Sequence, residues 1–118
     1  MCHFVLPKNS SDSGNPLNGR YGTDAVKILE REAKLRRTTL PEYHASIYGG
    51  GNVVAALSAS KEDTVGAQNA GFAMDILLQK EVPILVVDVG ETWARRISMD
   101  LSSGMISVKL HGNTFIST

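Results

Sequence analysis

The chain has 118 residues, the length of one domain, and its 42% apolar and 20% charged side chains exclude an intrinsically disordered protein. Twelve basic and twelve acidic side chains cancel to a formal net charge of zero, which argues against nucleic acid or an anionic membrane surface as partner. The longest apolar run, residues 82–87, contains Pro83 and is too short to cross a bilayer; no secretory leader is expected; and a single cysteine excludes an intrachain disulfide and fits a reducing, cytoplasmic setting.

In chain order, residues 3–6 read as a short strand closed by Pro7, which has no amide proton to give a ladder. Residues 8–22 are polar, with three glycines and Pro16, and read as a surface loop. Thr23 is a plausible N-cap for a helix over residues 24–37, whose stripe is Val26, Leu29 and Ala33, with Ala25, Ile28 and Leu35 beside it. Asp24 sits at the positive end of that helix dipole, and Lys34, Arg36 and Arg37 sit at the negative end. Pro41 marks the exit. Residues 44–48 read as a strand running into Gly49-Gly50-Gly51. Residues 52–59 fit a strand or a loop, and Lys61, Glu62 and Asp63 a solvated turn.

Thr64 caps a second expected helix over residues 65–80, with Phe72, Ala73, Ile76 and Leu77 as its stripe and Asn69 one turn earlier on the same side. Residues 84–89 form a continuous β-branched and leucine run, the pattern of a strand buried on both faces. Residues 95–99 and 105–110 read as a hairpin turned by Ser102, Ser103 and Gly104, with one wet face because Ile106 and Val108 alternate with Ser107 and Lys109. Residues 113–118 are a tail.

Four segments stand out: His3-Phe4-Val5-Leu6-Pro7, Tyr48-Gly49-Gly50-Gly51, Val65-Gly66-Ala67-Gln68-Asn69 and Asp88-Val89-Gly90. Taken alone, His3 reads as an ordinary strand histidine. The glycines read as a tight turn, and without a following Lys-Ser or G-x-G-x-x-G spacing they are not a phosphate loop. His44 and His111 are isolated, and one cysteine cannot build a zinc site, so no metal and no cofactor are expected. Asp88 beside Arg95 or Arg96 suggests a structural ion pair, and Trp93 a packing residue.

In this order the four segments resemble the chemoreceptor glutamine deamidase family, CheD, over residues 1–112. The match is to that family's N-H-F-x-L-P, F-G-G-A, I-G-x-x-N and D-V-G-G segments. Tyr48 replaces the phenylalanine, Gly51 the alanine and Glu91 the final glycine. The resemblance implies an α+β domain in which a β-sandwich-like sheet layer carries two main helices. It implies that His3 is the catalytic base. It also implies that Tyr48, Gly49, Gly50, Gly51 and Asn69 lie near the surface that meets substrate or partner, although Asn69 reads first as a structural residue.

The family's partners follow as expectations: the cytoplasmic helical bundle of methyl-accepting chemoreceptors, whose glutamines are hydrolysed to glutamate by a Cys-His mechanism, and the phosphatase CheC. The family nucleophile stands in an L-G-S-C segment more than a dozen residues before the histidine. The chain starts two residues before His3, so the first strands of the domain, with that cysteine, are expected to be missing from it. Cys2 occupies the place of the family's asparagine. As a strand neighbour of His3 it would point to the opposite face, so it is not expected to substitute as nucleophile. The alternative expectation is a non-catalytic CheD-like module that binds receptors or CheC.

Overall fold

A computed structural model describes residues 1–9, 16–51 and 64–111. The expectations for residues 52–59, 61–63 and 113–118 lie outside the described residues. Helix α1 is Gly22–Leu35 and helix α2 is Val65–Gln79; the strands are β1 (Ala45–Gly49), β2 (Ile84–Val89), β3 (Ala94–Met99) and β4 (Ile106–His111). The α+β class read from the sequence holds. The described strands form two separate two-stranded ladders, β1-β2 and β3-β4.

Strands β1 and β2 are parallel, with α2 lying between them in sequence and packed against β1. A parallel pair needs such a crossover, since a tight turn cannot reverse the chain twice. The register runs from Ser46 opposite Val86 to Gly49 opposite Val89, and an irregularity at Ala45 passes over Leu85. Strands β3 and β4 form the expected antiparallel hairpin, with Ile97 opposite Val108. Arg95, Ile97, Ile106, Val108 and Leu110 are partly covered, whereas Arg96, Ser98, Ser107 and Lys109 are exposed, so one face is wet. Asp100 closes the turn: its Oδ1 accepts from the Ser102 amide at 2.9 Å and hydroxyl at 2.8 Å, and these bonds hold its carboxyl below the ordinary range.

Both helices end in the same way. Thr38 N–H returns to Ala33 O and Arg37 N–H to Lys34 O; Val82 N–H returns to Leu77 O and Glu81 N–H to Leu78 O. These are Schellman caps, and they put Arg37 and Glu81 at φ 59° and 60°, where glycine is the relaxed residue. Thr64 caps α2 as expected, its Oγ1 accepting from Ala67 N–H at 3.0 Å. Helix α1 starts earlier than expected. Its N-cap is Tyr21, and the Thr23 amide bonds Pro7 O instead of awaiting a side-chain cap.

Two further expectations fail. Residues 3–6 are not a strand; a single bridge pairs Leu6 with Tyr21, because Arg20 O takes the amides of both Val5 and Leu6. Strand β2 is not buried on both faces: Leu85, Val86 and Val87 are 63%, 40% and 50% exposed. Among the described residues β2 has one strand neighbour, β1, and an apolar run records which residues favour burial rather than which element covers them. Among the described residues the buried apolar side chains are Ala25 and Ala33 of α1, Ile47 of β1 and Val82 just before β2, all small or branched. No helix among them is long and apolar enough to cross a membrane.

Candidate active site

The first residues of the chain lie across the fold as a strap. Val5 and Leu6 N–H donate to Arg20 O at 2.8 and 3.3 Å, and Leu6 O and Pro7 O accept from the Gly22 and Thr23 amides at 2.8 and 2.9 Å. Pro7 cannot donate, but its carbonyl is used. From the other side, Asn69 of α2 donates its Nδ2–H to Val5 O at 2.9 Å. Phe4 packs edge to face on Phe72, with ring centroids 5.7 Å apart. These contacts hold the backbone that presents His3, two residues before Val5.

A cleft of about 350 Å³ opens beside the strap, and His3, Cys2, Tyr48, Gly49, Gly50, Gly51 and Asn69 all line it. Segments far apart in sequence therefore meet at one place: the strap, the end of β1 and the first turns of α2. A second hollow of about 420 Å³ lies between the strap and α1, lined by Cys2, His3, Arg20, Ile28 and Leu29.

The cleft's floor depends on two glycines. Gly50 has φ 66°, and its backbone meets that of Gly66 so closely that an added Cβ would lie 2.7 Å from Gly66 O. A Cβ on Gly66 would lie 2.5 Å from Gly50 O. No side chain fits at either position without moving the backbone of β1's end or of α2.

Arg95 fixes the floor from behind. Its side chain is 2% exposed. Its Nη1 donates to Gly49 O at 3.1 Å and Gly90 O at 3.0 Å, while Nε and Nη2 donate to Asp88 Oδ1 at 3.3 and 3.2 Å. Gly49 O also accepts from Gly90 N–H at 2.9 Å. The ends of β1, β2 and the start of β3 are thus tied through one guanidinium, whose fork suits several acceptors at once. The sequence suggested an ion pair at Asp88 without choosing between Arg95 and Arg96. It did not show the two carbonyls. The available signal was alternation, since Arg95 shares the covered face of β3 with Ile97. Asn69, which the sequence suggests first as a structural residue and the resemblance puts near the partner surface, bonds Val5 O, a partner that no sequence pattern identifies.

Among the described residues no hydrogen bond joins Cys2 to His3. Cys2 is exposed as a residue, but protein around the sulfur desolvates the thiol and pushes its pKa up, the opposite of what an activated nucleophile requires. No group of three His, Cys, Asp or Glu side chains among the described residues is placed to hold a metal ion. The arrangement offers an accessible imidazole beside a cleft floored by glycine backbone, suited to moving a proton to or from a small polar group.

Comparison with known proteins decides the lineage. Residues 5–110 match the family model described as "CheD chemotactic sensory transduction". The chain belongs to the CheD family. It is 33% identical over 109 residues to a protein of Bordetella petrii named "Probable chemoreceptor glutamine deamidase CheD", covering 92% of this chain and 48% of that one. It is 31% identical over 121 residues to "Probable chemoreceptor glutamine deamidase CheD 1" of Dechloromonas aromatica, covering 99% of this chain and 59% of that one. A Methylobacillus flagellatus protein of the first name is likewise 31% identical, with 99% and 60% covered. The chain spans about half to three-fifths of the length of these curated relatives. Of the residues lining the CheD cleft, Tyr48, Gly49, Gly50, Gly51 and Asn69 fall within the matched segment, and His3 stands two residues before it.

Proposed function

We propose that this chain is the histidine-bearing part of a protein-glutamine deamidase acting on chemoreceptors in the cytoplasm. The observation that carries the reading is the convergence of His3 with Tyr48, Gly49, Gly50, Gly51 and Asn69 on one cleft in a CheD-family fold. The substrate is the side-chain carboxamide of particular glutamines on the receptor's cytoplasmic helical bundle. A cysteine thiol from the family's L-G-S-C segment gives its proton to His3, and the thiolate attacks the carboxamide carbon. The C–N bond breaks as His3 returns the proton to departing ammonia, leaving a thioester. His3 then takes a proton from water, whose oxygen attacks the thioester carbon; the C–S bond breaks and glutamate is released. Cys2 is not assigned as the nucleophile.

A second reading is supported by the desolvated thiol of Cys2, the chain's one cysteine, and by its lack of a bond to His3. In that reading the chain is a non-catalytic module that binds chemoreceptors or the phosphatase CheC through the same cleft and its rim. Incubation of the chain with a receptor cytoplasmic fragment separates the two, both alone and joined to the cysteine-bearing segment of a relative. Binding plus a gain of about one dalton per site in the joined protein supports the deamidase. Binding with no mass change in either form supports the module.

A further inference from the structure

We infer that Asn69 is a positioning residue for His3: its side-chain amide ties the strap to α2 and sets where the imidazole stands in the cleft. The inference rests on the deamidase reading for His3 as base, but the tie itself does not. Asn69 Nδ2 donates to Val5 O at 2.9 Å, across 64 residues of sequence. The amide's orientation follows from its partner, because a carbonyl oxygen accepts only from the nitrogen end. The other end, Oδ1, is buried and has no partner among the described residues.

That pairing of one bond made and one buried acceptor left alone is informative. An orphan acceptor is unfavourable, so this side chain is a poor choice for stability alone. An apolar residue of similar size would remove the orphan. What asparagine supplies is a donor directed at one carbonyl, two residues from His3. Among the described residues the strap has no regular ladder to hold it; on its far side its backbone partners there are Arg20 O and the amides of Gly22 and Thr23. Without Asn69 its backbone is bonded along one edge alone, and among the described contacts toward α2 the Phe4–Phe72 ring contact is left to resist pivoting about that edge. His3, beyond the last backbone bond at Val5, swings furthest.

The test uses Asn69→Leu, which keeps the branched shape and removes the donor, and Asn69→Asp, whose carboxylate faces Val5 O. Amide hydrogen exchange is followed at Val5 and Leu6 in the strap, at the Gly22 and Thr23 amides that bond it, and at Ala67, Lys80 and the β1-β2 ladder elsewhere. Both variants are expected to speed exchange in the strap by about tenfold or more and leave the other amides unchanged. In the protein joined to the cysteine-bearing segment, kcat is expected to fall with KM unchanged, and lowering the pH to protonate the Asn69→Asp carboxyl is expected to restore part of the strap's protection. Unchanged strap exchange overturns the inference. So does exchange that rises equally throughout, which marks an ordinary structural residue, or a KM effect at constant kcat, which marks a substrate contact. If the joined wild-type protein is inactive, the deamidase reading fails, while the exchange data still decide whether Asn69 holds the strap.

Discussion

Replacing Arg95 tests how the cleft floor is held. Arg95→Ala removes a 2%-exposed guanidinium and four hydrogen bonds to Asp88, Gly49 and Gly90. Hydrogen bonds involving a charged group contribute about 1.5–3 kcal/mol each when taken singly, but bonds sharing one group do not add. Asp88 is 42% exposed and recovers water when its partner leaves, so the full penalty of a stranded buried charge does not apply. Gly49 O keeps its bond from Gly90 N–H. The expected loss is therefore about 2–4 kcal/mol, a large share of a total stability of about 5–15 kcal/mol. At about 4 °C per kcal/mol for a domain of this size, Tm falls by about 8–16 °C. Arg95→Lys keeps the charge but has no fork to reach carboxylate and carbonyls together, and should lose about half as much. Asp88→Asn should lose less than about 1 kcal/mol. Urea unfolding followed by circular dichroism, with the slope compared across variants, measures all three. Arg95→Lys as stable as wild type, or Asp88→Asn as costly as Arg95→Ala, would refute the reasoning by showing that the carbonyl contacts do not matter.

Gly66→Ala should destabilise by about 1–3 kcal/mol although alanine is the better helix former, because its Cβ meets Gly50 O; thermal unfolding checks the sign. Glu81→Gly should stabilise by about 0.5–1 kcal/mol by relieving the left-handed cap after α2, read as a higher urea midpoint at constant slope. The carboxyl of Asp100 is held below its ordinary range by its bonds to Ser102, so the turn's protection should be present above the ordinary carboxylate pKa and lost as pH falls through the lowered one. Amide exchange at Ser102 and Gly104 follows that loss, and Asp100→Asn should remove the pH dependence. Iodoacetamide labelling of Cys2 across pH should show a midpoint above that of an ordinary exposed thiol, unchanged in His3→Ala. A midpoint about two units lower that returns to normal in His3→Ala would establish a Cys-His pair.

What the sequence disclosed follows from how local each signal is. Helix α2 and its Thr64 cap were legible because a hydroxyl, an amide three residues on and an apolar stripe all lie within one stretch of chain. The β3-β4 hairpin was legible for the same reason, its alternation and serine-glycine turn being adjacent. The strap was misread as a strand because its fate depends on Arg20, whose one carbonyl occupies two amides and leaves no ladder. Strand β2 was misread as doubly covered because composition tells which residues favour burial and not which neighbour arrives. At the site, the four segments that resembled the family were enough to name residues that share the cleft. The sequence pattern could not show that Asn69 reaches back to Val5, nor that Arg95 spans three strand ends, since both depend on contacts between distant segments.

The proposed deamidase uses His3 as its proton carrier and a nucleophile other than Cys2. The most direct measurement is the intact mass of a chemoreceptor cytoplasmic fragment after incubation with the chain joined to the family's cysteine-bearing segment, in the wild type, His3→Ala and Cys2→Ser. About one added dalton per deamidated glutamine is expected for the wild type and Cys2→Ser, and a rate lower by about 10²–10⁴ for His3→Ala. Deamidation that survives in His3→Ala, or that is lost in Cys2→Ser, would contradict the proposal.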